Sequence, residues 1–222
     1  MNIFIAGDST AAPKLAEKRP EAGWGEYFNA FFTPAVTVHN YAKNGASTKS
    51  FIAEGRLQKI AAEIQAGDYF FIQFGHNDQK IDTPRGTLPD STYQENLALF
   101  TQVALTHQAT PVILSSVTRR SYQNNQIDPT CLGDYPRAAA AFAQKNHFTF
   151  LNMNQVTRDF LNHYDDDTSR QFFLQLAPGL HENYPQGVED NTHFNQRGAQ
   201  QIAQLVAETL QQSDLPLKKY LR

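Results

Sequence analysis

Two patterns of apolar positions alternate along the chain. Short runs rich in β-branched and aromatic residues stand at 3–6, 35–40, 69–74, 111–117 and 148–152. Between them, apolar residues return every three or four positions, as in Leu57, Ile60, Ala61 and Ile64, and again in Tyr93, Leu97, Phe100 and Ala104. The first pattern predicts strands and the second predicts helices with one buried stripe. Further helices are expected over 138–145, 156–161 and about 195–212, the last turning Ala199, Ile202, Val206 and Leu210 inward. A βα unit repeated five times is the signature of a parallel sheet covered by helices on both faces. With no linker, repeat or break in composition, the reading is an α/β fold. It is a single three-layer α/β/α domain spanning residues 1–222, with a five-stranded parallel sheet of flavodoxin-like order 2-1-3-4-5.

The stretches outside this pattern, 81–90, 119–134 and 177–191, are rich in Pro, Gly, Asn and Asp. The first two follow the third and fourth strands, at the carboxyl ends where such sheets bind ligands.

Composition narrows the function classes. The chain is 41% hydrophobic and 18% charged, which fits a soluble globular protein, and no apolar run approaches the roughly 20 residues of a membrane span. A net charge of -3, with Lys218, Lys219 and Arg222 as the only basic cluster, carries no footprint for nucleic acid. Cys131 is the single cysteine, so no internal disulfide can form, and no Cys/His spacing suits a metal. No cofactor is implied. The N-terminus has no basic region followed by a signal-length apolar core, and a cytoplasmic location is therefore expected.

The candidate chemistry lies at strand ends. Gly7-Asp8-Ser9-Thr10 closes the first strand, Asn44-Gly45-Ala46-Ser47 follows the second, and Gly75-His76-Asn77-Asp78 closes the third. In a 2-1-3-4-5 sheet these loops meet beside the switch point. Asp190-Asn191-Thr192-His193 stands before the last helix, and an Asp three residues ahead of a His can reach its Nδ1. Together they supply a nucleophile at Ser9, a base at His193 and an orienting carboxylate at Asp190. Gly45 could present a backbone N–H and Asn77 a side-chain amide to a developing oxyanion, beside the N–H of Ser9. Each piece also has an ordinary role. Gly-Asp-Ser-Thr can be a turn and helix cap, the glycines can supply positive φ, Asn77 can form a turn, and Asp190 can be an N-cap. Asp8 is read as a brace for the turn and His76 as structural. Markers of rival functions are missing: there is no Gly-x-Ser-x-Gly elbow or phosphate loop, and Gly23-Trp24-Gly25 lacks the third glycine of a dinucleotide fingerprint.

In order and spacing, the Gly7–Thr10 block, the Gly45 loop, the Gly75–Asp78 block and Asp190-x-x-His193 resemble the four blocks of the SGNH (GDSL-like) hydrolase superfamily. The longer strings at 6–11, 44–51, 72–78 and 190–194, with Gly23-Trp24-Gly25, are similar to its rhamnogalacturonan acetylesterase branch. The resemblance implies a metal-free serine esterase with Ser9, Asp190 and His193 as triad and the Ser9 N–H, Gly45 N–H and Asn77 as oxyanion hole. The implied partner is an acetylated carbohydrate. Arg119, Arg120, Tyr122, Trp24 and Tyr184 are candidates for holding the sugar. A small-acyl esterase or lysophospholipase-type thioesterase of the same fold, a non-catalytic carbohydrate-binding protein and a flavodoxin-like nucleotide binder remain as alternatives.

Overall fold

The structure is a computed structural model that describes residues 1–222. Its ten strands are β1 (Asn2–Gly7), β2 (Glu21–Ala22), β3 (Thr37–Asn40), β4 (Tyr69–Gln73), β5 (Thr110–Leu114), β6 (Tyr122–Gln123), β7 (Gln126–Ile127), β8 (Thr149–Leu151), β9 (Phe173–Leu176) and β10 (Val188–Asn195). Its α-helices are α1 (Thr48–Ala53), α2 (Arg56–Ala61), α3 (Gln94–Thr106), α4 (Tyr135–Lys145), α5 (Met153–Leu161) and α6 (Gln196–Gln211). The central sheet is parallel, in the spatial order β3-β1-β4-β5-β8, which is the 2-1-3-4-5 arrangement of the five strands expected from the apolar runs.

Successive strand residues point to opposite faces, and the sheet divides the apolar side chains accordingly. Ile3, Ile5, Phe71, Val112 and Leu114 face one core, closed by Met153 and Leu161 of α5 and by Ala199, Ile202, Val206 and Leu210 of α6. Phe4, Ala6, Phe70, Ile72 and Ile113 face the other, with Leu57 and Ile60 of α2, Leu97 and Phe100 of α3, and Ala138 and Phe142 of α4. Burial on both faces is why these strands read as continuous apolar runs. No helix is long and apolar enough to cross a membrane.

The departures from the expected elements have local causes. The second strand starts at Thr37 because its partner starts at Asn2, opposite it. The fourth ends at Leu114: beyond Leu151 the neighbouring strand turns into α5, and Ser115 Oγ donates to Asn152 Oδ1 and accepts from the Asn154 N–H. Helix α1 has only six residues and one fully buried apolar side chain, Phe51, too little for a periodic signal. Within the 119–134 stretch, β6 and β7 form a hairpin whose turn residues Asn124 and Asn125 adopt φ of 51° and 61°. Asparagine tolerates that left-handed conformation better than most residues.

A second, antiparallel sheet, β2-β10-β9, was not foreseen. Strand β10 holds Asp190 and His193 and carries no apolar alternation, since only Val188 and Phe194 are hydrophobic. Its pairing with β9 shifts register between Glu189 and Phe194, so the chain bulges where those two side chains lie. Asn195 then fixes the passage into α6. Its Oδ1 accepts from the Gly198 N–H at 3.0 Å, and its Nδ2 donates to the Gln171 and Phe173 carbonyls, both at 2.9 Å.

Gly198 lets α6 sit this close to the preceding segment, because a Cβ there would lie 1.8 Å from the Phe172 carbonyl oxygen. Both sides of that contact are backbone, so Gly198→Ala is expected to destabilise the fold by about 3 kcal/mol. The loss should be read as a lower urea midpoint at unchanged m value; a midpoint equal to the parent's would mean that α6 can move away freely.

Candidate active site

The turn after β1 is held from below by buried polar groups. Asp8 Oδ1 accepts from the Thr10 N–H at 2.9 Å and from Thr10 Oγ1 at 2.7 Å. Thr10 Oγ1 in turn accepts from Gln73 Nε2 at 2.8 Å, and Gln73 Oε1 accepts from the Trp24 indole N–H at 2.7 Å. Asp8, Thr10, Gln73 and Trp24 are all buried, so each bond replaces one that water cannot supply. Lys14 adds a second brace. Its buried ammonium donates to the Ser9 carbonyl oxygen and, at 2.6 Å, to Asn44 Oδ1, and it pairs with Glu21 at 2.8 Å. Burial pulls its pKa below the ordinary value against the attraction of Glu21. One cation therefore ties the serine turn, the loop of Gly45 and β2 together.

Ser9 meets residues from the far end of the chain. His193 Nε2 lies 2.9 Å from Ser9 Oγ, a contact between positions 184 apart, and His193 Nδ1 lies 2.7 Å from Asp190 Oδ2. A carboxylate only accepts, so Nδ1 carries the proton and the bare Nε2 accepts from the serine hydroxyl. Asp190 Oδ1 is bonded to the N–H groups of Thr192 at 2.7 Å and His193 at 2.9 Å, which fixes the carboxylate within the bulge. Burial pushes the Asp190 carboxyl up, but its bond and charge interaction with His193, with the two N–H groups, outweigh burial and hold it at about 2. It is ionised at neutral pH. The stretch is clamped from outside by Arg120, whose backbone N–H and Nη1 donate to Asn191 O and Oδ1 at 2.8 and 2.7 Å.

Gly45 and Asn77 belong to two loops joined to each other through the Ala46 carbonyl, and Lys14 joins Asn44 of the first loop to the serine turn. Gly45 has φ of 76°, a conformation that favours glycine. Neither its N–H nor that of Ser9 has an acceptor within the protein. Asn77 Nδ2 donates one hydrogen to the Ala46 carbonyl at 3.0 Å, and its Oδ1 accepts from Lys80 Nζ at 3.1 Å and Arg85 Nη1 at 3.2 Å. Those contacts set which way the amide points and leave its second N–H unclaimed. Three N–H donors are thus left without a partner in the loops that Lys14 and Asn77 tie to the serine turn, and the Ser9 hydroxyl is already bonded to a base.

Two neighbouring side chains are braces. Asp78 is buried and accepts from Thr48 N–H, Thr48 Oγ1 and Thr87 Oγ1; burial pushes its carboxyl up to about 7 against those bonds. His76 donates from Nε2 to the Val117 carbonyl at 2.9 Å and accepts at Nδ1 from Arg119 Nε at 3.3 Å. Burial holds its pKa down at about 4, so it is neutral.

Several side chains expected to face a sugar do not. Trp24 is wholly buried against Phe28 and bonded to Gln73. Arg120 is buried in bonds to Ser169, Asn191 and Asp166, and the Tyr122 hydroxyl is bonded to the Leu161 and Tyr164 carbonyls. The Tyr184 hydroxyl donates to the Lys18 carbonyl at 3.1 Å. Arg119 bonds His76 next to Asn77, and the half-buried Tyr184 stays near the triad, its pKa raised by burial and then by the charges of Glu21 and Asp190. Lys14, Lys80 and Arg85 carry no signal in the sequence, because an isolated Lys or Arg in a polar loop reads as solvated surface. No three His, Cys, Asp or Glu side chains are grouped to hold a metal ion.

Comparison with known proteins shows the family of the chain. Residues 5–201 match the family model described as GDSL-like Lipase/Acylhydrolase family. The chain belongs to that family. Among its relatives in the GDSL-like family, the rhamnogalacturonan acetylesterase RhgT of Bacillus subtilis is 46% identical over 222 residues, covering 100% of this chain and 94% of the relative. A rhamnogalacturonan acetylesterase of Emericella nidulans is 29% identical, over 90% of this chain and 81% of its own. Among solved structures, a catalytic mutant of Axe2, an acetylxylan esterase from Geobacillus stearothermophilus, superposes with a TM-score of 0.67 at 14% identity, over 94% of this chain and 93% of that one. This likeness shows the shared SGNH-type fold.

Two outcomes are expected from the bracing of this GDSL-like site. Lys14→Met leaves Glu21 charged and buried alone, and breaking such a pair costs about 3–5 kcal/mol. Denaturant titration should show that loss, and the double variant Lys14→Met/Glu21→Leu should recover a large part of it. For Asp190, a folded-state pKa of about 2 lies below the ordinary 3.8. Its ionised form contributes stability above pH 3.8, and that contribution disappears as pH falls through 2. Asp190→Asn should flatten the difference in stability across that window, measured by thermal unfolding from pH 5 downward; an unchanged acid limb would mean that the carboxylate is not stabilised by the fold.

Proposed function

We propose that the chain, acting as one catalytic domain over residues 1–222, is a serine esterase that removes O-acetyl groups from rhamnogalacturonan or pectin-type carbohydrate through an acyl-enzyme. The observation that carries this reading is the continuous line Asp190 Oδ2, His193 Nδ1, His193 Nε2 and Ser9 Oγ, with successive gaps of 2.7 and 2.9 Å. The 46% identity to RhgT over the full chain supports the choice of acyl acceptor.

In this mechanism Ser9 Oγ attacks the acetyl carbonyl carbon while His193 Nε2 takes the hydroxyl proton. The imidazolium is stabilised by the ionised Asp190. Negative charge gathers on the carbonyl oxygen, which the N–H groups of Ser9 and Gly45 and the Asn77 amide receive. Collapse of the tetrahedral intermediate breaks the bond to the sugar oxygen, and His193 returns its proton to that leaving group. Water, deprotonated by His193, then attacks the acetyl-Ser9 carbonyl; the bond from the acetyl carbon to Ser9 Oγ breaks, His193 returns the proton to Oγ, and acetate leaves. Asn77 contributes only if its free N–H faces the oxyanion, and the bonds from Lys80 and Arg85 to its Oδ1 favour that orientation.

Ser9→Ala should fold normally and lose nearly all hydrolysis of p-nitrophenyl acetate. In the parent, an organophosphate should label the peptide containing Ser9, and labelling of another serine would refute the assignment. Asp190→Asn should lower kcat by about 10⁴-fold, since the imidazole loses its charge partner and its tautomer. Near-parent turnover would reduce Asp190 to a bulge-forming residue.

A further inference from the structure

Three cations gather around Asn77 and His76 with no carboxylate within ion-pair distance of any of them. Lys80 Nζ and Arg85 Nη1 both donate to Asn77 Oδ1, and Arg85 Nη1 also lies 3.4 Å from the Gly45 carbonyl oxygen. Arg119 reaches the neighbouring residue, with Nε on His76 Nδ1 at 3.3 Å and Nη2 on the His76 carbonyl oxygen at 3.4 Å. Every acceptor in this set is uncharged. The ion pairs of the chain use other cations, namely Lys14, Arg19, Lys43, Arg56, Arg120, Arg137, Arg170 and His193. Partial desolvation of the ammonium tip, and then repulsion from Arg85 and Arg119, pull Lys80 below its ordinary pKa against a weaker attraction from the buried Asp8, so the three cations are electrostatic neighbours.

The chain has a net charge of -3 and 22 acidic residues, yet three cations stand close to one another here with none of those carboxylates in an ion pair with them. Like charges held together raise the energy of the free protein, and a cleft edge lined by one sign of charge concentrates ligands of the other sign. The bonds to Asn77, Gly45 and His76 also leave donors unspent. A guanidinium has five N–H donors and an ammonium three, and each residue here uses only one or two contacts. Arg85 and Arg119 are half-buried, so their guanidinium planes are restrained, while Lys80 is exposed.

We infer that Lys80, Arg85 and Arg119 form a carboxylate-binding rim that reads the uronate groups of the acetylated carbohydrate and sets its acetyl ester against Ser9. The inference rests on the acetylesterase reading of the site and deepens it: the residues that discriminate an acidic from a neutral sugar chain are the cations around Asn77. Because two of the three cations also orient the Asn77 amide, a carboxylate drawn to them lies next to the group that receives the oxyanion. Binding of the acidic sugar and placement of the ester are then coupled through one side chain.

The test compares acetylated trigalacturonate with the same compound methyl-esterified at its carboxyl groups, using p-nitrophenyl acetate as the reference without a sugar chain. The parent should prefer the free acid by about tenfold in kcat/KM, the scale of one charge-assisted hydrogen bond, and the preference should shrink at high salt. Lys80→Gln and Arg119→Gln should each reduce the acid-to-ester ratio, and Arg119→Lys should restore part of it. Since the ratio is taken within each variant, a general loss of turnover cancels, and thermal unfolding checks that each variant is folded. Calorimetry on Ser9→Ala provides a readout that needs no turnover: trigalacturonate should bind and its methyl ester should not. A ratio near one in the parent, or equal binding of acid and ester to Ser9→Ala, would overturn the carboxylate rim. Selective binding with no hydrolysis of any acetyl ester by the parent would uphold the rim and overturn the esterase reading instead.

Discussion

The turn after β1 must expose one hydroxyl while almost everything beneath it is removed from water. Ser9 itself is only 5% exposed, and Asp8 and Thr10 on either side are buried. Buried polar groups are tolerable only when they are bonded, and a chain of them has few alternative arrangements. The series from Asp8 Oδ1 through Thr10 and Gln73 to Trp24 joins the end of β1 to the end of β4 and to the segment after β2, and leaves only Asp8 Oδ2 of these four side chains without a partner. Lys14 joins the same turn to Asn44 and Glu21. The position of Ser9 is therefore set by tertiary bonds, and the loops that would serve as its oxyanion donors are fixed to the same framework.

Bringing a base to that hydroxyl is a separate problem, because His193 is supplied by the last part of the chain. The parallel sheet cannot deliver it, since its strands end in the other loops of the site. The antiparallel sheet β2-β10-β9 does so, with β2 lying just after the serine turn and pairing with Phe194 and Asn195 of β10. Its bulge lets Asp190 and His193 face each other, and Asn195 and Gly198 fix the entry into α6 immediately behind them. The same short sheet thus joins Lys14's partner Glu21 to the strand of the base.

Charge is distributed unequally around the hydroxyl. Asp190, the acidic member, lies behind His193, and the uncompensated cations lie on the side of Gly45 and Asn77. A negative group behind the imidazole favours the transient imidazolium, and positive groups around the amide favour a transient oxyanion. A substrate carrying its own negative charges would be drawn to the second side alone, and that asymmetry would orient it before any reaction begins.

Periodicity in the sequence was sufficient to locate the five parallel strands, the longer covering helices and the inward face of α6, because the contacts that make these elements repeat locally every two or three to four residues, and the strand order followed from the fold class that the βα alternation implies. The strand-end blocks around Ser9, Gly45 and Asn77 were legible for the same reason: strand ends follow from strand positions. Residues 188–195 were not legible as a strand, since a polar, bulged segment has no period and its pairing depends on β2 and β9, far away in the sequence. The aromatic and Arg side chains read as sugar contacts turned out to be Trp24, Arg120 and Tyr122 in structural bonds, because an isolated side chain carries no local record of its partner. Lys14, Lys80 and Arg85 differ little from any surface cation in sequence. Only the folded chain decides that one is buried under Ser9 and that the other two meet at Asn77, since burial and unpaired charge are properties of what surrounds a residue in space.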